Sequence, residues 1–196
     1  MTNDLEGYFS LSLSADGKML VVRQQKIIAR IWHLPDGDIK NAKQITFDDR
    51  KLDGHGGLIW TPDGKIVFCH FSDADSITDL YKMNSDGSNR VQLTVNVGQD
   101  NGYPSVSNDG RYIIFTSNRV GKRQIWRMDN DGRNPKLLTP GGEKDGNSEF
   151  ATVSPDGREV FFIKRGAGAA AIWKVSIDGE NPTQVSLLTS AATEAY

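Results

Sequence analysis

With 196 residues, 37% hydrophobic and 24% charged, the chain has the make-up of an ordinary globular protein, which excludes disorder as its default state. Its 23 basic and 25 acidic residues leave a formal net charge of -2, so no strong field makes nucleic acid or an anionic membrane the default partner. There is no charged n-region followed by a long apolar stretch, and no run of about 18 apolar residues, so the chain as given is expected to carry neither an export signal nor a membrane anchor.

Read in chain order, the sequence falls into four units. The phrases Ser14-Ala15-Asp16-Gly17, Thr61-Pro62-Asp63-Gly64, Ser107-Asn108-Asp109-Gly110 and Ser154-Pro155-Asp156-Gly157 recur at spacings of 47, 46 and 47 residues. A second Asp-Gly follows in each unit, at Asp36-Gly37, Asp86-Gly87, Asp131-Gly132 and Asp178-Gly179. Asp-Gly suits a tight hairpin because both residues tolerate the positive φ such turns require. Each unit closes on an apolar residue and a threonine: Ile45-Thr46, Leu93-Thr94, Leu138-Thr139 and Leu188-Thr189.

Between these marks the sequence runs apolar or alternates as strands do, and no amphipathic helix is evident. The first unit has a longer, less regular tail from Pro35 to Thr46. The second contains the apolar run Ile66-Val67-Phe68-Cys69, which makes the lone cysteine a small buried side chain that leaves the redox compartment open. The third predicts strands over 103–107, 112–117, 124–128 and 135–139. The fourth replaces the polar second loop by Gly166-Ala167-Gly168-Ala169-Ala170-Ala171. Third strands carry Arg30-Ile31-Trp32, Leu80-Tyr81-Lys82, Ile125-Trp126-Arg127 and Ile172-Trp173-Lys174, whose aromatic is expected to fill the space between neighbouring units.

Four antiparallel strands per unit at this period predict an all-β fold, a β-propeller with four four-stranded blades of about 47 residues. Unit one begins near its own first strand and unit four ends at its own last, leaving little overlap for ring closure, so the blades are expected to belong to a larger propeller. The blades are expected over residues 4–46, 47–94, 95–139 and 140–189, one propeller region from 4 to 189, with 190–196 as a C-terminal tail. A self-closed ring and a ring completed between molecules stand as alternatives. An open arc would leave an apolar face at each end, which predicts a homo-oligomer or aggregation.

The Ser-Pro-Asp-Gly turn, the Ile-Trp or Leu-Tyr third strand and the closing Leu-Thr resemble the WD40-like repeats of TolB-type propellers, with the unit from Tyr103 to Thr139 nearest to a consensus. The chain also resembles the propeller sensor region of some bacterial serine/threonine protein kinases. Relatives of this kind usually have more than four blades. The resemblance implies a non-catalytic repeat module for protein or peptide binding or sensing, the sensor or scaffold part of a larger bacterial protein, in a periplasmic or extracytoplasmic setting. Two alternatives remain: the substrate-gating propeller of a prolyl-oligopeptidase-like serine peptidase, and a small-molecule or carbohydrate-binding propeller.

Catalytic residues, metal ligands and cofactors are not expected. No Gly-x-Ser-x-Gly elbow occurs, and Gly54-His55-Gly56-Gly57 and Gly141-Gly142 lack the following helix of a phosphate site. His33, His55 and His70 are too dispersed for a zinc spacing. The segment Asp129 to Asn134 looks like the opening of a calcium loop, yet it lacks a downstream Glu and coincides with the repeat turn. Asp73, Asp75 and Asp79 read as a solvated loop cluster. The ligand-binding candidates are Tyr8, His55, Tyr103 and Glu149, placed just upstream of the four first strands, where propeller loops converge on the channel mouth.

Overall fold

The computed structural model describes residues 7–48, 51–72, 75–95, 97–141, 146–166 and 170–187. Three four-stranded antiparallel sheets follow one another along the chain. The first holds β5 (Lys51–Trp60), β6 (Lys65–Ser72), β7 (Ile77–Asn84) and β8 (Val91–Gln92). The second holds β9 (Asn101–Val106), β10 (Tyr112–Ser117), β11 (Gln124–Asp129) and β12 (Lys136–Leu137). The third holds β13 (Asn147–Val153), β14 (Glu159–Arg165), β15 (Ala171–Ser176) and β16 (Thr183–Leu187). Each sheet pairs its strands in sequence order, as the hairpin signals predict.

The first unit departs from the expected blade. It forms two separate hairpins, β1 (Gly7–Leu13) with β2 (Leu20–Gln25), and β3 (Trp32–His33) with β4 (Lys43–Gln44). Strand β2 does not pair with β3, and the irregular tail folds into two short 3-10 turns, Pro35–Gly37 and Ile39–Asn41. Five sheets, not four, therefore make up the described chain, and the expected count of four complete blades is not what they form.

The repeated Ser-x-Asp-Gly phrase is a turn held by its own side chains. In the third unit Ser107 Oγ donates to Asp109 Oδ1 at 2.6 Å and accepts the Tyr112 amide at 2.9 Å. Asp109 in turn accepts the Arg111 amide at 3.0 Å, and the Gly110 amide donates to the Ser107 carbonyl at 2.8 Å. The Ser107 hydrogen bond holds the Asp109 carboxyl below its ordinary pKa. Ser154 and Asp156 repeat the arrangement at 2.5 Å. Local chemistry thus fixes where each inner hairpin reverses.

Alternation along the strands decides which neighbour each side chain meets. Ile113 and Phe115 of β10 point to the second unit and pack with Val67, Cys69, Leu80 and Leu93. Ile114, between them in sequence, points the other way and packs with Ala151, Val160, Phe162 and Val175 of the fourth unit. A third cluster joins Ile31 and Ile45 of the first unit to Ile66, Phe68 and Met83 of the second. The core is therefore a series of joints between units, each buried apolar side chain contributing about 1.5–3 kcal/mol. Cys69 sits inside one joint, fully buried as expected, and burial pushes its thiol pKa up to about 12.

The third-strand aromatics fill these joints in three units, with Tyr81, Trp126 and Trp173 each packed against the cluster shared with the preceding unit. Trp32 is the exception. It is 54% exposed and packs in none of the three clusters.

Candidate functional site

The inner strands β5, β9 and β13 lie side by side, and all three carry a bulge. Register shifts fall between Asp53 and Leu58 on β5, opposite Ile114 to Thr116 on β9, and between Glu149 and Thr152 on β13. Counted back from the Ser/Thr-x-Asp-Gly turn, Gly57, Tyr103 and Phe150 occupy one equivalent position, and all have positive φ, at 112°, 53° and 57°. A bulge re-aims the side chains beside it. Here it turns Tyr103 and Phe150 edge to face, with ring centroids 4.5 Å apart.

A cleft of about 430 Å³ opens beside these bulges, between the second and third units. Its lining includes His55 and Gly56 from β5, Ser76 from the turn into β7 and Thr78 from β7 itself, Gln99 and Asp100 ahead of β9, Tyr103, Asn118 and Arg123. Asn118 Oδ1 accepts the Gln99 amide at 2.9 Å and the Asp100 amide at 3.1 Å, which fixes the rim. The Thr78 amide donates to the Gln99 carbonyl at 2.9 Å and ties the two units together just beneath it.

Arg123 braces the far wall. Its guanidinium reaches Asp100 Oδ2 at 2.5 Å and Glu149 Oε1 at 2.8 Å, and Arg165 lies 3.4 Å from the other Glu149 oxygen. The Glu149 hydrogen bond, together with that of Asp100, raises the Arg123 pKa above its ordinary value. Both carboxylates on this wall are therefore committed to a permanent cation. By contrast, the His55 ring is exposed, and neither it nor the Tyr103 hydroxyl has a hydrogen-bond partner among the described residues.

Of the four candidate residues, His55 and Tyr103 line this one cleft. Glu149 is 5% exposed and stands behind Arg123 as its anchor, so it does not face the cleft. The side chain of Tyr8 lies outside the described residues. All four lie within first strands, not upstream of them: His55 and the Gly54 to Gly57 stretch are part of β5, Tyr103 part of β9, Glu149 part of β13 and Tyr8 part of β1. Strand propensity does not reveal a bulge, which adds residues to a strand without breaking it. Arg123 escaped sequence reading because its two anchors lie 23 and 26 residues away.

A second polar cluster, with Asp53 and His70 buried and Arg90 partly exposed, lies on the face of the second unit turned to the first. Asp53 Oδ1 lies 2.6 Å from His70 Nδ1, and Arg90 holds both Asp53 oxygens at 2.9 and 3.1 Å. Burial would raise the Asp53 pKa, but hydrogen bonds from His70 and Arg90 outweigh it and hold the carboxyl low. The Arg90 guanidinium also covers the rings of Phe68 and Tyr81 at 4.9 and 4.7 Å.

The acidic loop cluster does not form as expected. Asp79 belongs to β7 and is half-buried, accepting from Thr94 at 2.6 Å, Gln92 at 2.9 Å and Asn101 at 3.3 Å, while Asp75 is exposed. Asp73 lies outside the described residues. The calcium-like segment is the repeat turn: Asp131 accepts the Arg133 amide at 3.0 Å and Asn134 donates to Asp129 at 2.7 Å. Among the described residues, no three His, Cys, Asp or Glu side chains gather as a metal site.

Comparison with known proteins places the chain in a family. A model of the TolB beta propeller domain matches residues 54–195. An uncharacterised protein of Agrobacterium fabrum is 40% identical over 80 residues, which is 41% of this chain but only 27% of that protein. The chain thus spans about a quarter of that relative. Among solved structures, a putative TolB from Agrobacterium tumefaciens aligns at 21% identity and TM-score 0.57 over 91% of this chain and 80% of its own. An oligogalacturonate lyase from Vibrio parahaemolyticus aligns at 15% identity and TM-score 0.63 over 94% of this chain and 54% of its own. The same fold thus carries both a TolB and a lyase, and it does not by itself assign an activity. With the family model covering most of its length, the chain belongs to the TolB β-propeller family.

Proposed function

We propose that this chain is a binding module without a catalytic step of its own, and that it holds a peptide segment of a protein partner in the cleft between the second and third units. The supporting observation is the division of labour among the lining groups. Asp100, Asn118 and Arg123 are already satisfied by one another and by Glu149, so they shape a rigid wall. His55 and the Tyr103 hydroxyl, on adjoining bulges, are left to meet a ligand. A rigid aromatic with a polar tip gives contact area at low entropic cost, and an imidazole can donate or accept, which suits an extended peptide backbone. The carboxylates on this wall are each bound to Arg123, an arrangement that suits support of the cleft better than proton transfer.

The reading is tested by selecting binders from a displayed random peptide library and measuring their affinities by calorimetry against the wild type, His55→Ala and Tyr103→Ala. Loss of about tenfold or more in affinity on either substitution is expected, equivalent to about 1.4 kcal/mol. Selected peptides that bind both variants as tightly as the wild type would place the binding surface elsewhere.

A further inference from the structure

One device recurs on the faces that the second and third units turn to the unit before them. In the second unit the Arg90 guanidinium covers Phe68 and Tyr81, which stand opposite each other across β6 and β7. In the third, the Arg119 guanidinium covers Phe115 at 5.1 Å and Trp126 at 4.6 Å, and these two are likewise opposed across β10 and β11. The arginines come from different connections, Arg90 from the one before β8 and Arg119 from the one before β11. Each puts a cation over an equivalent pair of rings.

What meets the cation differs between the two units. Asp53, opposite His70, gives both of its carboxylate oxygens to Arg90. The corresponding residue of the third unit is Asn101, opposite Ser117, and it offers only an amide oxygen, 3.4 Å from Arg119 Nη2. Arg119 Nε donates to Ser117 Oγ at 3.0 Å, and among the described residues no carboxylate contacts this guanidinium. Asp79 acts on it only through space, because its oxygens are taken by Thr94, Gln92 and Asn101. Desolvation outweighs that attraction and holds the Arg119 pKa below its ordinary value. The indole nitrogen of Trp126, in the ring that Arg119 covers, is buried and has no acceptor among the described residues. Two donors in one stack are therefore short of an acceptor, while Arg119 itself is partly exposed and within reach of a ligand.

We propose that Arg119 is a carboxylate-binding point, pairing with an acidic group of a ligand as Arg90 pairs with Asp53. The chain supplies its own template for the ligand's chemistry, since the same guanidinium over the same kind of ring pair holds a carboxylate in the second unit. A planar fork of N-H donors matches two carboxylate oxygens, and the rings beneath fix its plane. The guanidinium is already desolvated on its ring side, so pairing costs mainly the desolvation of the incoming carboxylate. Arg119 is not among the residues that line the cleft, and this contact stands apart from the peptide reading above.

Proton-nitrogen correlation spectra of the full isotope-labelled chain test this, because they resolve the indole signals of the four tryptophans and the arginine Nε signals. The chain is titrated with sodium acetate, with a terminally blocked Ala-Glu-Ala peptide, and with sodium chloride at matched ionic strength. The Arg119 Nε and Trp126 indole signals are expected to move with acetate and to saturate at a dissociation constant of about 10 mM or tighter. Arg90 Nε, already paired with Asp53, is expected to stay in place, and chloride to move none of these signals. Saturation by the peptide as well assigns the carboxylate to a protein segment, and saturation by acetate alone assigns it to a small acid. Arg119→Gln is expected to abolish the movement of the Trp126 signal. The comparison of Arg119 with Arg90 is made within one wild-type spectrum, so it holds even where that variant does not fold. Signals of Arg119 and Trp126 that ignore both carboxylates, that follow chloride equally, or that still saturate in Arg119→Gln overturn the inference.

Discussion

The Thr94 hydroxyl accepts the amide of Leu80 at 2.9 Å, so the closing threonine supplies a ladder bond where β8 has already ended. Thr46 does the same for Ile31 and Thr139 for Ile125, each at 2.9 Å. The recurrent Leu-Thr is explained by this bond: the apolar residue fills a joint while the hydroxyl satisfies a buried third-strand amide. Thr94→Val keeps the shape but leaves the Leu80 amide unpaired. It is expected to destabilise the fold by about 1–3 kcal/mol, read from the urea midpoint at constant slope.

The same hydroxyl donates to Asp79 at 2.6 Å. Burial, opposed by hydrogen bonds from Thr94, Gln92 and Asn101, leaves the Asp79 pKa above its ordinary value. A raised folded-state pKa means that the native protein binds this proton more tightly than the unfolded chain. The stabilisation is full below the unfolded carboxylate value and is lost as pH rises through the folded value. The third unit places Gln124 at the equivalent position, where its amide oxygen accepts from Thr139 at 2.7 Å, so a neutral side chain serves there. Asp79→Asn is therefore expected to flatten the decline just above the ordinary carboxylate range, with loss of the Gln92 hydrogen bond, which an amide nitrogen cannot accept. Urea unfolding of both proteins from pH 4 to pH 7 checks this, and an Asn variant that keeps the wild-type slope would contradict it.

Turn glycines that face a neighbouring unit should be far less replaceable than one that faces open space. Gly87 has φ of 85° and Gly37 has φ of 71°, so alanine is strained at both. Only at Gly87 would the added methyl also strike the Ile45 carbonyl. Gly37→Ala is expected to cost about 1 kcal/mol, and Gly87→Ala clearly more, because the joint between the first two units must open. Equal shifts in thermal midpoint for the two would show that the Gly87 turn is not seated on that joint.

Much of the architecture was legible along the chain because it is local. The Ser107 to Gly110 turn satisfies itself within six residues, and the strands predicted at 112–117 and 124–128 are observed as Tyr112–Ser117 and Gln124–Asp129. The aromatic positions Tyr81, Trp126 and Trp173 were legible for the same reason, since a fixed place in a repeat implies a fixed place in a joint. The cleft was only half legible. Proximity to the first strands pointed to His55 and Tyr103, but it could not distinguish a lining residue from Glu149, whose partner Arg123 comes from another sheet.

What the sequence determined by itself is the repeat, its hairpins and the residue types of each joint, because hydrogen bonds over a few positions and a period of two act without the rest of the chain. Tertiary structure alone decided the bulges that gather His55 and Tyr103, the half-burial of Asp79 and burial of Glu149, and the separation of β1 and β2 from β3 and β4. Each of these depends on what a neighbouring unit presents across a gap. Trp32 shows the difference: it has the sequence context of Trp126, but only a unit packed against it would make it core.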